Sequence, residues 1–446
     1  MEPPRRRPYT KAGMAARPLY DLSGIARVFT NRNYAIYAAG QSISLIGLWV
    51  QRLAVGWLAW ELTESGFWLG AVAFADLFPV MFIGLFGGVL ADRVDQRHIL
   101  LVGQVVSLVQ SAVLWAMTLA GVITIGWLVG LTLGLGMVVA LMQPARLSLV
   151  PSLVRKEDVG GAVAIHAVIF NLARFLGPAA AGLIIASSNV ANAFLFNAIS
   201  FVPLIVALLL LRIAPRPARP PVSTGVFADV GSGLRYAFGH PGIAPTLLLM
   251  GATSLLVRPV FELLPGFADH VFHSDARGLA TLTSSVGLGA LFAGLWLAQR
   301  ASAARFAGIA MASAVALCIA GLVFGSSSNL WVGAVALAVA GFTSIGISVT
   351  TQTLLQTGVD PALRGRVLSI WGIVLRAVPA AGALVMGWIS DYAGLRAPLI
   401  GASLLCLAAG LLLTRAARRD IRALEHGLGA PRAASDEQVE GVEGGK

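Results

Sequence analysis

Residues 99–145 read ILLVGQVVSLVQSAVLWAMTLAGVITIGWLVGLTLGLGMVVALMQPA and contain no Asp, Glu, Lys or Arg. The hydrocarbon core of a bilayer is about 30 Å thick, and a helix of about 20 apolar residues crosses it. This stretch is long enough for two such helices, and the turn-forming segment Gly121–Gly126 marks the break between them. Residues 175–211 and 306–359 are uncharged stretches of the same kind. The sequence therefore predicts successive membrane-spanning helices.

The composition of the whole chain supports this prediction. Of its 446 residues, 57% are hydrophobic and only 12% are charged, and the mean hydropathy is +0.80. Soluble domains have about twice that share of charged residues, so a water-soluble enzyme and a disordered chain are both excluded. Backbone groups in lipid must be hydrogen-bonded internally, which leaves helices as the spanning element. We therefore predict an all-α membrane protein.

Hydropathy and turn residues place twelve transmembrane helices. The predicted spans are 34–62, 66–91, 97–119, 123–147, 158–186, 190–212, 243–268, 276–298, 304–325, 330–354, 365–390 and 395–415. A basic, proline-rich segment at 215–221 separates six spans from six others, as a linker would. The predicted organisation is an N-terminal tail (1–33), a six-helix bundle (34–212), a linker (213–242), a second six-helix bundle (243–415) and a C-terminal tail (416–446).

The basic residues predict the orientation. Among the connections between spans, they concentrate on one side, at Arg93, Arg97, Arg155, Lys156, Arg216, Arg219, Arg300, Arg305, Arg364 and Arg366, whereas the other side has Arg277 and Arg396. Cytoplasmic loops carry the excess of Lys and Arg. We therefore expect a multi-pass protein of the cell inner membrane with both termini in the cytoplasm. The net charge of +11 then reflects the orientation of the chain in the membrane, and we expect it to contact anionic lipid on the cytoplasmic side. We therefore expect no nucleic-acid partner.

Short matches relate the two halves of the chain. They pair residues 87–93 with 294–300, Arg52 with Arg258, and residues 174–182 with 376–382. The matches occur in the same order and in corresponding spans, and transporters are often built from such repeats. A duplicated unit predicts two pseudo-symmetric six-helix bundles.

The connection between spans two and three carries a motif. It reads Gly88-Val89-Leu90-Ala91-Asp92-Arg93-Val94-Asp95-Gln96-Arg97 and resembles the signature of the major facilitator superfamily. Asp95 and Gln96 stand where that family usually has a glycine and a basic residue. The resemblance implies the twelve-helix major facilitator fold, a central cavity and alternating access. It also implies a gate that latches the two halves and is built from Gly88, Asp92, Arg93, Arg97 and Arg146. The alternative is a static salt bridge between Asp92 and Arg146.

Further segments narrow the resemblance. Gly177-Pro178-Ala179-Ala180-Ala181-Gly182 in span five is similar to the Gly-Pro motif of the superfamily's antiporters, in which the proline bends the helix. The alternative for Gly177, Pro178 and Gly182 is a packing kink. Residues 49–52, 143–151 and 258–265 resemble the branch that contains the enterobactin exporter and the macrolide-efflux type proteins. The usual direction in that branch is export.

Charged residues inside the spans are candidates for substrate binding and proton coupling, because a charge at mid-bilayer costs about 2.5–3.5 kcal/mol. They are Arg52, Asp76, Arg174, Arg258, Glu262 and Arg376. Asp76 has no charged neighbour within ten residues, so it either holds a proton or pairs with an arginine of another helix. The first case makes it a coupling site and the second a structural ion pair.

The other charges leave alternatives open as well. Glu262 follows Arg258 by four residues, so a local pair is possible, and Pro259 and Pro265 predict a broken helix around it. Arg52 is either an anchor at the membrane surface or a clamp between helices. The remaining arginines at 174 and 376 either hold an anionic substrate group or neutralise the two acids.

Secondary transport is the function that fits these features. The sequence has no phosphate-binding loop for ATP, no nucleophile motif and no metal-ligand spacing among its histidines and cysteines, so we expect no enzyme, cofactor or metal site. The leading hypothesis is proton antiport that exports an amphipathic small molecule, such as a drug or a siderophore, by a monomer. The alternatives are export of an anionic metabolite held by the buried arginines, uptake, and more distantly a membrane-embedded enzyme.

Overall fold

A computed structural model describes residues 27–83, 87, 90, 94–211, 226–239, 243–299, 306–359 and 363–429. Every regular element in this part of the chain is helical. Eleven of the helices described are long and apolar enough to cross a membrane, and the apolar segment Arg396–Leu412 is a shorter twelfth. The all-α fold is therefore confirmed, and these helices agree with the predicted number of twelve spans.

The helices follow the predicted spans closely, and we number them as spans one to twelve. The first half contains Arg32–Thr63, Gly66–Leu77, Gln96–Leu119, Ile125–Ser152, Val159–Ser187 and Val190–Leu210. The second half contains Ile243–Leu256, Ala276–Ala298, Phe306–Ser326, Leu330–Gly358, Arg364–Ala393 and Arg396–Gly429. Span two continues after a turn at Phe78 as helical residues 79–83.

The breaks inside the long apolar stretches lie where turn residues predicted them. Gly121, just after span three, has a φ of +68°, a conformation that glycine adopts without strain and that commonly ends helices. The side chains of Asn189 and Asn329 accept hydrogen bonds from the amides of Asn192 and Trp331, at 3.0 and 2.9 Å. These caps satisfy amides that have no partner inside spans six and ten, so each uncharged stretch folds as two helices.

Span seven is broken, as its prolines predicted. The α-helix ends at Leu256, and the chain continues through a 3₁₀ segment, Arg258–Glu262, to a π-helical turn, Phe267–Val271. Pro259 and Pro265 lie within this irregular region and cannot donate the backbone hydrogen bonds of a continuous helix. The interruption places Glu262 on a short segment between the two parts of the span.

Two helical segments lie outside the predicted spans. Residues Val226–Gly239 form a helix in the predicted linker, and its Ala237 is buried in a cluster with Ile243 and Val367 of the second half. The helix of span twelve continues to Gly429. The first part of the predicted tail, residues 416–429, is therefore helical. The predicted linker is therefore partly structured and packed against one bundle.

Among the described residues, the two halves share one hydrophobic core, which lies at one end of the molecule. There, Trp57, Leu69 and Phe194 of the first half pack in one cluster with Phe267 and Leu282 of the second half. We call this end of the molecule the shared end.

At the opposite end, each half has a hydrophobic core of its own. Tyr34, Leu149 and Leu208 belong to a cluster of first-half residues, and Leu247 and Leu355 belong to one of second-half residues. We call this end the split end. Among the described residues, the buried cores of the two bundles are therefore joined at the shared end and distinct at the split end.

Glycines allow the bundles to approach closely on both sides. Span two meets span eleven where Gly70 faces the backbone of Ala383 and Leu384, and a Cβ atom at position 70 would lie 2.7 Å from the Cα atom of Leu384. Span five meets span eight where Gly287 faces Phe175, at 2.9 Å by the same measure. No real Cβ atom tolerates such contacts, so the close approach at these two seams requires glycine.

Candidate functional site

A central cavity lies between the two bundles. Its volume is about 240 Å³, and residues of spans one, two, four, five, seven and eleven line it. Its polar lining consists of Gln51, Arg52, Asp76, Thr132, Gln143, Arg146, His166, Glu262 and Arg376. Four of the six charged residues that the sequence singled out inside the spans therefore converge on one site.

Arg52 pairs with two carboxylates from different helices. Its Nη2 atom lies 2.9 Å from Oε1 of Glu262 and 3.6 Å from Oδ2 of Asp76. Asp76 and Arg52 belong to the first half, whereas Glu262 belongs to the second, so this network joins the bundles. Between about a fifth and a third of each side chain remains exposed to the cavity. Arg52 thus joins two helices, which is one of the structural alternatives given for it. Asp76 lies beside an arginine of another helix, which is one of its two predicted alternatives.

The possible local ion pair between Arg258 and Glu262 is not among the ion pairs of the described residues. Arg258 instead directs Nη1 to the hydroxyl of Ser254 and the carbonyl oxygen of Leu375, at 3.5 and 3.4 Å. The cause is the break at Pro259, which removes the regular helical spacing that would bring residues four apart together. Glu262 is therefore available to Arg52 of the opposite bundle.

Trp49 forms an aromatic platform between two guanidinium groups. The Cζ atoms of Arg52 and Arg174 lie 5.4 and 5.7 Å from the centre of its ring. The ring of Phe170 packs edge-on against it at 6.0 Å. Cation–π attraction favours this arrangement. Both aromatic rings line the cavity.

The basic charge of the site exceeds its acidic charge. Both cavity carboxylates, Asp76 and Glu262, contact Arg52. Arg146 and Arg376 also line the cavity, and neither forms an ion pair with another residue in the described part of the chain. Arg174 contacts the ring of Trp49 and forms no ion pair with another described residue. The cavity can therefore neutralise an anionic ligand.

A buried polar network fixes the helix that carries Arg52. The side-chain oxygen of Gln51 accepts hydrogen bonds from the hydroxyl of Ser111 and the amide of Asn197, at 2.6 and 2.7 Å. The amide of Gln51 donates to Gln110 at 3.0 Å. Spans one, three and six are thereby joined beside the cavity. The sequence analysis did not identify this network, because uncharged polar residues occur in many spans and their spacing does not reveal partners.

Much of the predicted gate lies outside the described residues, namely Gly88, Asp92 and Arg93. Arg97 is described, and its guanidinium donates to the carbonyl oxygen of Leu209 at 2.8 Å, which joins spans three and six within one half. Arg146 lies in the central cavity. The gate therefore stays a prediction from the resemblance.

The Gly-Pro motif lies at a crossing of helices. A Cβ atom at Gly177 would collide with Trp49 of span one, and one at Gly182 would collide with Ala280 of span eight. Pro178 is buried within the helix Val159–Ser187, which runs through it without interruption. The two glycines therefore permit close packing, and the predicted bend at Pro178 stays a prediction.

Polar contacts also join the two halves at the shared end. The indole of Trp60 donates to Asp269 at 2.8 Å. Asp391, near the end of span eleven, accepts hydrogen bonds from the hydroxyl of Ser65 and the amide of Gly66, at 2.7 and 2.6 Å. The carboxylate thus caps the first turn of span two across the interface between the bundles, a favourable position for a negative charge. The sequence analysis did not anticipate these contacts, since none of the residues lies inside a predicted motif.

Comparisons with known proteins agree with this architecture. The model of a family described as transmembrane secretion effectors matches residues 25–439. The staphyloferrin A transporter of Staphylococcus aureus is 25% identical over 370 residues, which cover 81% of this chain and 91% of that protein. The enterobactin exporter EntS of Shigella boydii is 28% identical over 353 residues, which cover 77% and 82%.

A solved structure shares the fold. A bacterial homologue of the human lysosomal transporter Spinster, in an inward-facing and unoccupied conformation, superimposes with a TM-score of 0.67 at 13% identity and covers 89% of this chain and 98% of its own. The relatives are transporters, not enzymes. The chain belongs to the transmembrane secretion effector family of the major facilitator superfamily, and within it to a branch similar to siderophore exporters.

Proposed function

We propose that this chain exports an anionic, siderophore-like small molecule by alternating access, coupled to proton entry. The observation that carries the proposal is the charge arrangement of the cavity. Arg52 contacts both acids, while Arg146 and Arg376 remain available to a ligand. The relatives named for staphyloferrin A and enterobactin support a siderophore as the class of cargo.

The orientation proposed from the sequence indicates which end of the described structure faces the cytoplasm. The basic residues Arg97, Arg155 and Arg364 flank spans whose ends form the split end, whereas Asp269 and Asp391 lie at the shared end. The excess of positive charge faces the cytoplasm in membrane proteins. We therefore place the split end in the cytoplasm, with both termini, for a monomer in the inner membrane. The cavity is then accessible from the inside, where an exported molecule enters.

Arg52 links cargo binding to proton transfer, because the cargo and the two carboxylates bind the same guanidinium. An anionic group that binds this guanidinium competes with Glu262 and Asp76. Loss of the Arg52–Glu262 pair removes a contact between the bundles and favours opening at the shared end. The released carboxylates then accept a proton from outside and return it to the cytoplasm when the pair forms again. An inside-negative potential also favours export, by about 2.3 kcal/mol per negative charge and 100 mV.

Proton movement in inside-out vesicles tests the proposal. The vesicles contain the full chain and an acidified lumen, and a pH dye reports alkalinisation when catecholate or citrate-type siderophores, neutral macrolides or cationic drugs are added. We expect siderophores alone to trigger alkalinisation, and we expect Asp76→Asn and Glu262→Gln to abolish it. Glu157→Gln is the matched control, because Glu157 is exposed in the connection between spans four and five. A response to cationic drugs only, or none to siderophores, would overturn the proposed cargo class.

A further inference from the structure

A second basic group lines the cavity towards the split end. Arg146 of span four, Gln143 one turn before it and His166 of span five all face the same cavity. The Nε atom of Arg146 is buried and has no hydrogen-bond partner in the described part of the chain. A buried donor without a partner is costly, so this part of the cavity is suited to a ligand that accepts hydrogen bonds.

Among the described residues, no carboxylate pairs with Arg146, and its predicted partner Asp92 lies outside them. The described titratable groups that interact electrostatically with Arg146 are His166 and the hydroxyl of Tyr37, and neither is a carboxylate. The hydroxyl of Tyr37 is itself buried without a hydrogen-bond partner among the described residues. Asp158, an acid at the same end of span five, is engaged by Arg27 at 2.8 Å. An anionic group from outside the chain would therefore complete this site.

The two basic regions are separated by an aromatic stretch. His166, Phe170 and Arg174 follow one another at intervals of four residues along span five, so they lie on one face of the helix. Eight residues of helix separate His166 from Arg174, which is about 12 Å at 1.5 Å per residue. Phe170 lies between them and packs against Trp49. Along span five, basic side chains therefore flank Phe170 on both sides, and Arg174 meets the cavity lining through its contact with Trp49.

We propose that Arg146, with Gln143 and His166, forms a second anion subsite, and that the cargo is an elongated molecule with an anionic group at each end. The first group binds beside Arg376 and Arg52, and the second binds Arg146. The helical rise from His166 to Arg174, about 12 Å, gives the scale of their separation. The part between them contacts Trp49 and Phe170. This inference rests on the proposed function and narrows its cargo to molecules with at least two separated negative charges.

Linear dicarboxylates of increasing length test the second subsite. The full chain is placed in lipid nanodiscs, and equilibrium binding is measured for succinate, suberate, sebacate and dodecanedioate. Decanoate is the matched control for sebacate, because both have ten carbon atoms and decanoate has one carboxylate fewer. A charge-assisted hydrogen bond contributes enough to make sebacate bind about tenfold to a hundredfold more tightly than decanoate. We also expect the affinity of the dicarboxylates to reach a maximum at an intermediate or long chain, with succinate the weakest.

Substitutions then locate the second charge contact. Arg146→Gln should lower the preference for sebacate over decanoate to about threefold or less. Arg146→Lys keeps the charge and should retain part of the preference. Arg155→Gln, which removes an exposed arginine at the same end of the molecule, should behave as wild type.

The outcomes separate this inference from the proposed function. A sebacate preference that survives Arg146→Gln, or the absence of any preference in the wild type, would overturn the second subsite and leave anion export intact. If Arg146 acted only as a latch between the halves, its substitution would change decanoate and sebacate binding alike. No binding of any carboxylate would overturn the anionic cargo itself. If Arg146→Gln lost all binding through misfolding, Arg146→Lys would decide, because a wild-type preference there supports the subsite and decanoate-like binding refutes it.

Discussion

The pair between Arg52 and Glu262 is predicted to hold the protein in the conformation described here. It is a charge-assisted hydrogen bond of 2.9 Å between the two bundles. Such a bond contributes about 1.5–3 kcal/mol, but the two side chains are 34% and 22% exposed, and solvent screening reduces that figure. We therefore expect Glu262→Gln to cost this conformation about 1–2 kcal/mol relative to one that is open at the shared end.

That free energy corresponds to a measurable change in populations. One to two kcal/mol changes an equilibrium about fivefold to thirtyfold. Spin labels at Glu157 and Ser369 report it, because both positions are exposed near the split end and belong to opposite halves. The buried Cys318 and Cys406 are first replaced by alanine. Electron–electron double resonance should show a dominant long distance in the wild type and a larger short-distance population in Glu262→Gln.

A matched substitution controls for the loss of a negative charge. Glu61 accepts a hydrogen bond from Trp57 at 2.6 Å within span one, so it joins no two helices. Glu61→Gln should leave the distance distribution unchanged. If Glu262→Gln also left it unchanged, the Arg52–Glu262 pair would not control the equilibrium between the two conformations, and the reasoning would be refuted.

Three further substitutions test other contacts. Asp391→Ala removes the cap on span two, and loss of such a cap costs about 1 kcal/mol, so the short-distance population of the same spin labels should rise. Gly70→Leu should abolish transport, because its side chain would meet the backbone of span eleven, whereas Gly130→Leu should transport normally because no atom lies within 4 Å of its Cβ position. Gln51→Leu leaves buried donors without partners, at about 1–3 kcal/mol, and should lower the melting temperature in detergent; an unchanged melting temperature would contradict the role of the network.

Hydropathy and turn chemistry were sufficient to predict the helices. The uncharged stretches are much longer than one span, so they had to break, and asparagine and glycine occur where they could end or begin a helix. Pro259 and Pro265 predicted the interruption of span seven because proline cannot donate a backbone hydrogen bond. These features depend on residues close together in the chain, which a single sequence displays directly.

The partners of the buried charges could not be predicted in the same way. For Asp76, the sequence left open a bound proton or a distant arginine that it could not identify. For Glu262, it offered Arg258 as a possible partner on the assumption of a regular helix. The choice of Arg52 depends on how three helices from two bundles meet, and the contact between Trp60 and Asp269 depends on the same packing. Contacts of this kind are set by three-dimensional packing that residue spacing does not reveal.

The helix in the linker was missed for a different reason. Residues 226–239 include Gly231 and Gly233, which lower helix propensity, and the proline-rich segment before them favours an extended linker. Packing against the second bundle, through Ala237, compensates for the weak propensity. Tertiary contacts therefore decide the structure of this segment.

The central claim is that Arg52, Asp76 and Glu262 couple anion export to proton entry. Substrate-triggered alkalinisation of acidified inside-out vesicles, measured for wild type and Glu262→Gln, tests it most directly. The account predicts that a siderophore alkalinises wild-type vesicles and has no effect on the variant, although the variant still binds the siderophore. Equal alkalinisation in both would contradict the coupling role of the Arg52 network.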